Sequence, residues 1–157
     1  MEQLRRPACD LRFRATARTV PGLLPVCHRV RNGKMDIKNN TYCDVLVLSP
    51  EGRIDHANSE DFRNSLVPFI DRCRSDGERM VLDLAGVDYI SSAGLRCFML
   101  AEKQAKAQGG IIVVAAMQPV VKEIFEISRF TLVFETFATV REALARFSPA
   151  ALKAYQA

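Results

Sequence analysis

The run Met80-Val81-Leu82-Asp83-Leu84 constrains this chain more than any other stretch. It is apolar at nearly every position, not at alternate ones. A strand with one wet face alternates, and a strand without a polar face must be covered on both sides. That cover comes from helices that join parallel strands. Two more runs of the same kind, VLVLSPEG (Val45–Gly52) and IIVV (Ile111–Val114), lie before and after it. Strand patterns alternate with helical patterns along the chain. The expected class is therefore α/β, with a mostly parallel or mixed sheet of four to five strands and about four helices.

The punctuation residues place the elements. The first strand is read as turning at Ser49-Pro50, with a short continuation at Gly52-Arg53-Ile54. Asn58 or Ser59 stands where a helix cap is needed, with Glu60 and Asp61 in the first turn. Phe62, Leu66, Phe69 and Ile70 then recur at helical spacing, and Pro68 predicts a kink or a late start. Asp76-Gly77 reads as a turn. Gly86 opens a loop to Ser92, and Ala93–Gln108 reads as a helix ended by Gly109-Gly110. Pro119 starts a helix carrying Val121, Ile124 and Phe125. Thr131–Phe134 reads as a short strand. Thr136 or Thr139 caps a last helix, and Pro149 marks its end.

Charge divides the chain unevenly. Residues 1–34 hold eight Arg or Lys against Glu2 and Asp10, for a net of +6. Residues 35–157 hold fourteen basic and sixteen acidic residues, for a net of −2. The patterned part is mildly acidic, so the chain's overall +4 gives no support to nucleic-acid binding. Residues 1–34 show no sustained period and contain Pro7, Pro21 and Pro25. They are expected to be a basic, disordered extension with few core contacts for Phe13 or Leu24. An upstream segment outside the natural protein, an Arg-rich tail and an organellar presequence remain open. PGLLPV is too short for the usual signal-peptide core, and no run approaches the ~20 apolar residues of a membrane helix.

Five cysteines, at 9, 27, 43, 73 and 97, form no CxxC pair, and His28 and His56 stand far apart. This spacing gives neither a zinc site nor a disulfide framework and fits a reduced cytoplasmic protein. Asp55, Glu60, Asp83 and Asp88 are acids without metal-specific spacing. No phosphate-binding glycine loop and no serine-nucleophile elbow occurs. The chain is read as a non-enzyme without a cofactor.

One segment carries more than packing. In YISSAGLR (Tyr89–Arg96), two hydroxyls fall at a helix N-terminus. Ser91 or Ser92 can accept hydrogen bonds from unpaired backbone N–H groups and need do nothing else. The same place favours a phosphate, through exposed N–H groups and the helix dipole. A phosphate there adds about −1.5 to −2 charge to the surface without melting the helix.

VLDLAGVDYISSAGLR resembles the signature of STAS domains, specifically the bacterial anti-sigma factor antagonists. In that pattern an apolar strand ends in D-[LF]-[SA], and D-S-[ST/A]-G-L enters a helix. GRIDHANSEDFR (Gly52–Arg63) resembles the family's G-x-[IL]-D segment. The resemblance covers residues 36–148 and implies a STAS domain over 35–149, with 150–157 as a C-terminal tail. It implies that the unphosphorylated protein binds an anti-sigma factor that is also a serine kinase. Phosphorylation then releases it, and a protein phosphatase resets it. By position Ser92 matches the phosphorylated serine, with Ser91 as the alternate acceptor. Asp55 matches an acidic contact, and Gly94 and Leu95 match the helix entry. The expected partner surface combines Asp55, His56 and Asn58 with Asp88, Ser91, Ser92, Gly94, Leu95 and Arg96. This chain departs from the pattern at Ser91, where many members carry Asp. The alternative is a STAS adaptor that is not phosphorylated, such as a subunit of a lipid-transport or stress-signalling complex.

Overall fold

The computed structural model describes residues 37–157 and the backbone of residues 28–30. The expectations for Phe13 and Leu24 lie outside the described residues. The elements run β1 (His28–Val30), β2 (Ile37–Tyr42), β3 (Val45–Pro50), β4 (Gly52–Ile54), α1 (Ser59–Ile70), β5 (Arg79–Asp83), β6 (Val87–Ile90), α2 (Ser92–Ala107), β7 (Ile112–Ala115), α3 (Pro119–Ile127), a 3-10 turn (Phe130–Leu132), β8 (Glu135–Phe137), α4 (Val140–Phe147) and α5 (Pro149–Gln156). The main sheet has the order β1-β2-β3-β5-β7-β8, and β4 and β6 form a separate pair. β1, β2 and β3 pair antiparallel, whereas β3, β5, β7 and β8 are parallel.

The doubly covered sheet expected from Met80–Leu84 is present. Register aligns Leu46 with Met80 and Met80 with Ile112, so the larger side chains share one face. On that face Leu46, Leu48, Met80, Leu82, Ile112 and Val114 join one core with residues of α1, α2 and α3. The opposite face carries Val45, Val47, Val81, Val113 and Ala115, covered by Val140, Ala143 and Leu144 of α4 and Ala151 of α5. Phe98 of α2 is fully buried and meets Phe62, Phe125 and Phe134 at ring-centroid distances of 5.3, 6.0 and 6.5 Å. Burial of one such ring contributes about 1.5–3 kcal/mol. This cluster fixes α2, and with it the α2 N-terminus.

Five expectations change. Strand β3 runs through Ser49-Pro50, and the chain turns instead at Glu51-Gly52, where Gly52 has φ 95°. A side chain rarely adopts that conformation. Val87–Ile90 is a strand, not a loop, because it pairs parallel with Gly52–Ile54. Thr131–Phe134 is not a strand. Phe130 and Phe134 are both buried and stack at 6.1 Å, and four residues of extended chain would separate them by roughly 13 Å. The 3-10 turn between them brings the rings together, and the strand follows at Glu135–Phe137.

Residues 150–157 lie largely within a fifth helix. Pro149 does end α4, since Ser148 before it is extended, but it also occupies the first turn of α5. The Ser148 hydroxyl accepts from Ala151 N at 3.4 Å, and Tyr155 packs edge-on against Tyr42 at 5.3 Å. Finally, β1 lies within the segment expected to stand apart from the fold, and its backbone pairs with Ile37–Asn39.

Candidate functional site

The site forms where the two-stranded pair β4–β6 delivers the chain to two helix N-termini. Ile54 and Ile90 end these strands side by side. Ser91 N donates to Ile54 O at 2.8 Å, which ties the start of α2 to the end of β4. Gly94 fits this junction because it has no side chain. A Cβ there would lie 2.7 Å from Ile54 Cγ2, 2.9 Å from Ile90 Cγ2 and 3.0 Å from Ile54 O. Leu95 is buried in the core. Gly94 and Leu95 thus hold the helix against the strands from within. Both belong to the expected partner surface, and both lie buried beneath it in this structure.

The two serines have different surroundings. Ser91 is the N-cap of α2, and its hydroxyl accepts from Gly94 N at 3.3 Å. Ser92 is the first helical residue and is exposed. Its hydroxyl forms no hydrogen bond among the described residues. Aspartate and serine are both good N-caps. The residue that departs from the family pattern therefore keeps the capping role that an aspartate supplies.

The Asp55–Ser59 loop is held by its own side chains. Asn58 Oδ1 accepts from Asp55 N at 2.9 Å, and Asn58 Nδ2 donates to Arg53 O at 2.6 Å. Asp55 Oδ1 accepts from Ala57 N at 3.0 Å. Asn58 occupies the N-cap position of α1 without a side-chain cap bond, because its amide serves the loop. His56 projects from this loop and is exposed. Asp88 is exposed on β6, and Arg96 is exposed one turn into α2 from Ser92. The loop and the α2 start are joined beneath the surface, where Cys97 Sγ donates to Ser59 O at 3.2 Å. Burial raises the Cys97 thiol pKa, while the nearby Arg63 and Arg96 guanidiniums pull it down.

Three features were not foreseen. The Arg53 guanidinium lies over the Tyr89 ring at 4.6 Å, joining β4 to β6 on the exposed side. Gln118 Nε2 donates to Ala85 O at 2.8 Å and reaches Asp88 Oδ1 at 3.5 Å, placing the start of α3 beside the site. Glu102 sits on the buried side of α2. Burial raises its carboxyl pKa despite Lys106 at 3.3 Å. Register and tertiary contact create all three, and neither has a local sequence signal. Among the described residues, no group of three or more His, Cys, Asp or Glu could hold a metal ion. Asp83 accepts instead from Ser49 Oγ at 3.0 Å and Ala85 N at 3.1 Å. No helix among the described residues is long and apolar enough to cross a membrane.

The family model of the STAS domain matches residues 36–143. The chain belongs to the STAS domain family. This STAS chain is 41% identical over 102 residues to a protein of Bordetella bronchiseptica named "Putative anti-sigma factor antagonist BtrV", covering 64% of the chain and 84% of that relative. Its fold is similar to a crystal structure of an anti-sigma factor antagonist from Mycobacterium paratuberculosis, with a TM-score of 0.64, 18% identity, and coverage of 72% of this chain and 93% of that one. It is also similar to the Bacillus cell fate determinant SpoIIAA in its phosphorylated form, with a TM-score of 0.54, 17% identity, and coverage of 73% and 100%.

Proposed function

We propose that this STAS protein is a switchable anti-sigma factor antagonist, with Ser92 as the hydroxyl that sets its state. Unmodified, the surface around Asp55, His56, Asn58, Asp88, Ser92 and Arg96 binds an anti-sigma factor with serine kinase activity. That kinase transfers the ATP γ-phosphoryl group to Ser92 Oγ, the bond from the γ-phosphorus to the bridging oxygen breaks to release ADP, and the hydroxyl proton leaves with the kinase's base. The added charge then disrupts a surface buried in the complex, by desolvation and like-charge repulsion. A protein phosphatase removes the group by hydrolysis. The chain is a substrate in this cycle, performs no catalysis, and works in the cytoplasm.

The division of labour between the two serines carries this reading. Ser91 caps the helix, so modification of Ser92 removes no cap. Ser92 is exposed, and the first-turn N–H groups beside it tolerate a phosphate. The Bordetella relative's name supports the antagonist role, and the Bacillus structure's title records a protein of similar fold in a phosphorylated form. Binding of Ser92→Ala and Ser92→Asp proteins to the kinase-type partner tests it. Ser92→Ala is expected to bind like wild type, and Ser92→Asp to bind at least about tenfold more weakly. Equal binding by Ser92→Asp would defeat the proposal.

A further inference from the structure

We infer that the groove between α1 and α2 is a docking site for an acidic amphipathic helix. The two helices lie side by side and point the same way. Ser59 meets Cys97 at their N-terminal ends, and Asp71 accepts from Gln104 toward their C-terminal ends. Between these ties they leave an open cleft of about 360 Å³. It is lined from residue 63 to residue 70 on α1 and from residue 97 to residue 107 on α2. At 1.5 Å per residue, those spans are roughly 10 and 15 Å, enough for about two turns of a partner helix.

The chemistry of the lining selects the occupant. Leu66, Ile70 and Ala101 form a buried apolar floor, and Val67 and Leu100 form exposed walls at 36% and 37% accessibility. An apolar trough of this shape receives the i, i+4 and i+7 anchors of a helix. Among the described residues, the two charged side chains that line it, Arg63 and Lys103, are both cationic. Arg96, near enough to act on the Cys97 thiol together with Arg63, adds a third cation at the N-terminal mouth. The acids on the two helices lie outside the lining: Glu60 and Asp61 are in the first turn of α1, Glu102 pairs with Lys106 at 3.3 Å, and Asp71 accepts from Gln104 at the other end. This charge arrangement complements a helix with acidic flanks and disfavours a basic one.

The lining on α2 begins at Cys97, five residues after the exposed Ser92 on the same helix. A phosphate on Ser92 would therefore repel the acidic flank of a docked helix. That coupling rests on the function proposed above, whereas the groove and its occupant do not.

The test uses the full chain and a fluorescein-labelled synthetic helix with leucines on one face and glutamates elsewhere. Its counterpart has lysines in place of the glutamates. Fluorescence anisotropy gives affinity, and amide NMR shifts give location. The acidic helix is expected to saturate below about 1 mM and to shift residues of α1 and α2. Arg63→Glu and Lys103→Glu, both at surface positions, are expected to weaken it about tenfold each, and Leu100→Ala to weaken it as well. Equal binding of the two helices, shifts confined to other faces, no saturation, or a groove filled by a second copy of the chain in sedimentation would each overturn the inference. Ser92→Asp separates the two readings. Weaker helix binding supports the coupling, while unchanged binding with groove-centred shifts keeps the docking site and removes its link to Ser92.

Discussion

Ser91 accepts the backbone N–H of Gly94 at 3.3 Å, and this bond separates the roles of two adjacent hydroxyls. It follows that removal of one hydroxyl costs stability and removal of the other does not. Ser91→Ala is expected to lose about 0.5–2 kcal/mol of stability through the lost cap. Ser91→Asp is expected to regain it, and Ser92→Ala to stay within about 0.5 kcal/mol of wild type. Urea unfolding midpoints measured at constant slope check all three.

Gly94 is the tightest point of the site. Gly94→Ala puts a methyl group 2.7 Å from Ile54 Cγ2 and 3.0 Å from Ile54 O. The backbone oxygen cannot rotate away, so the α2 start must move. A loss of about 1–3 kcal/mol is expected, as for other overpacked sites. Partner binding should fall too, because the Ser92 end of the helix shifts from the Asp55–Ser59 loop.

Glu102 predicts a pH effect of definite sign. Burial raises its folded pKa above the ordinary value of 4.5. The folded state thus holds this proton more tightly than the unfolded state. Between the two pKa values, stability from this group falls as pH rises. Removing the carboxylate with Glu102→Gln should abolish that fall. The stability difference between Glu102→Gln and wild type should therefore grow in favour of the variant as pH is raised from about 4.5 through the shifted pKa. Urea titrations of both proteins across that range measure it.

Helix α5 is part of the core, not an appendage. Ala151 is fully buried against the Val45–Val113 face, and Tyr155 contacts Tyr42. Truncation after Ser148 is expected to destabilise the protein by about 1–3 kcal/mol. A truncated chain with an unchanged thermal midpoint would show that α5 contributes nothing to the fold.

The chain advertises its central strands and hides its edges. Met80–Leu84 and Ile112–Val114 are legible because burial on both faces leaves little room for polar residues, Asp83 at the strand end being the exception. Ile37–Tyr42 reads IKNNTY and carries no such run, since one of its neighbours is the peripheral β1 and Ile37 alone of its six residues is fully buried. Val87–Ile90 is legible only once its pairing with Gly52–Ile54 is known. Pro149 misleads because a proline that ends one helix also suits the first turn of the next. At the site, SSAGL marks the helix start plainly. Which serine caps and which is exposed depends on how the Ile54 and Ile90 strand ends set the first turn, and local sequence does not encode that.

The most direct measurement is peptide-mapped mass spectrometry of the purified chain after incubation with ATP and the host's kinase-type anti-sigma factors. One phosphate on Ser92, absent from the Ser92→Ala protein, is the predicted result. A phosphate on Ser91, or none with a partner shown to be an active kinase, would contradict the account.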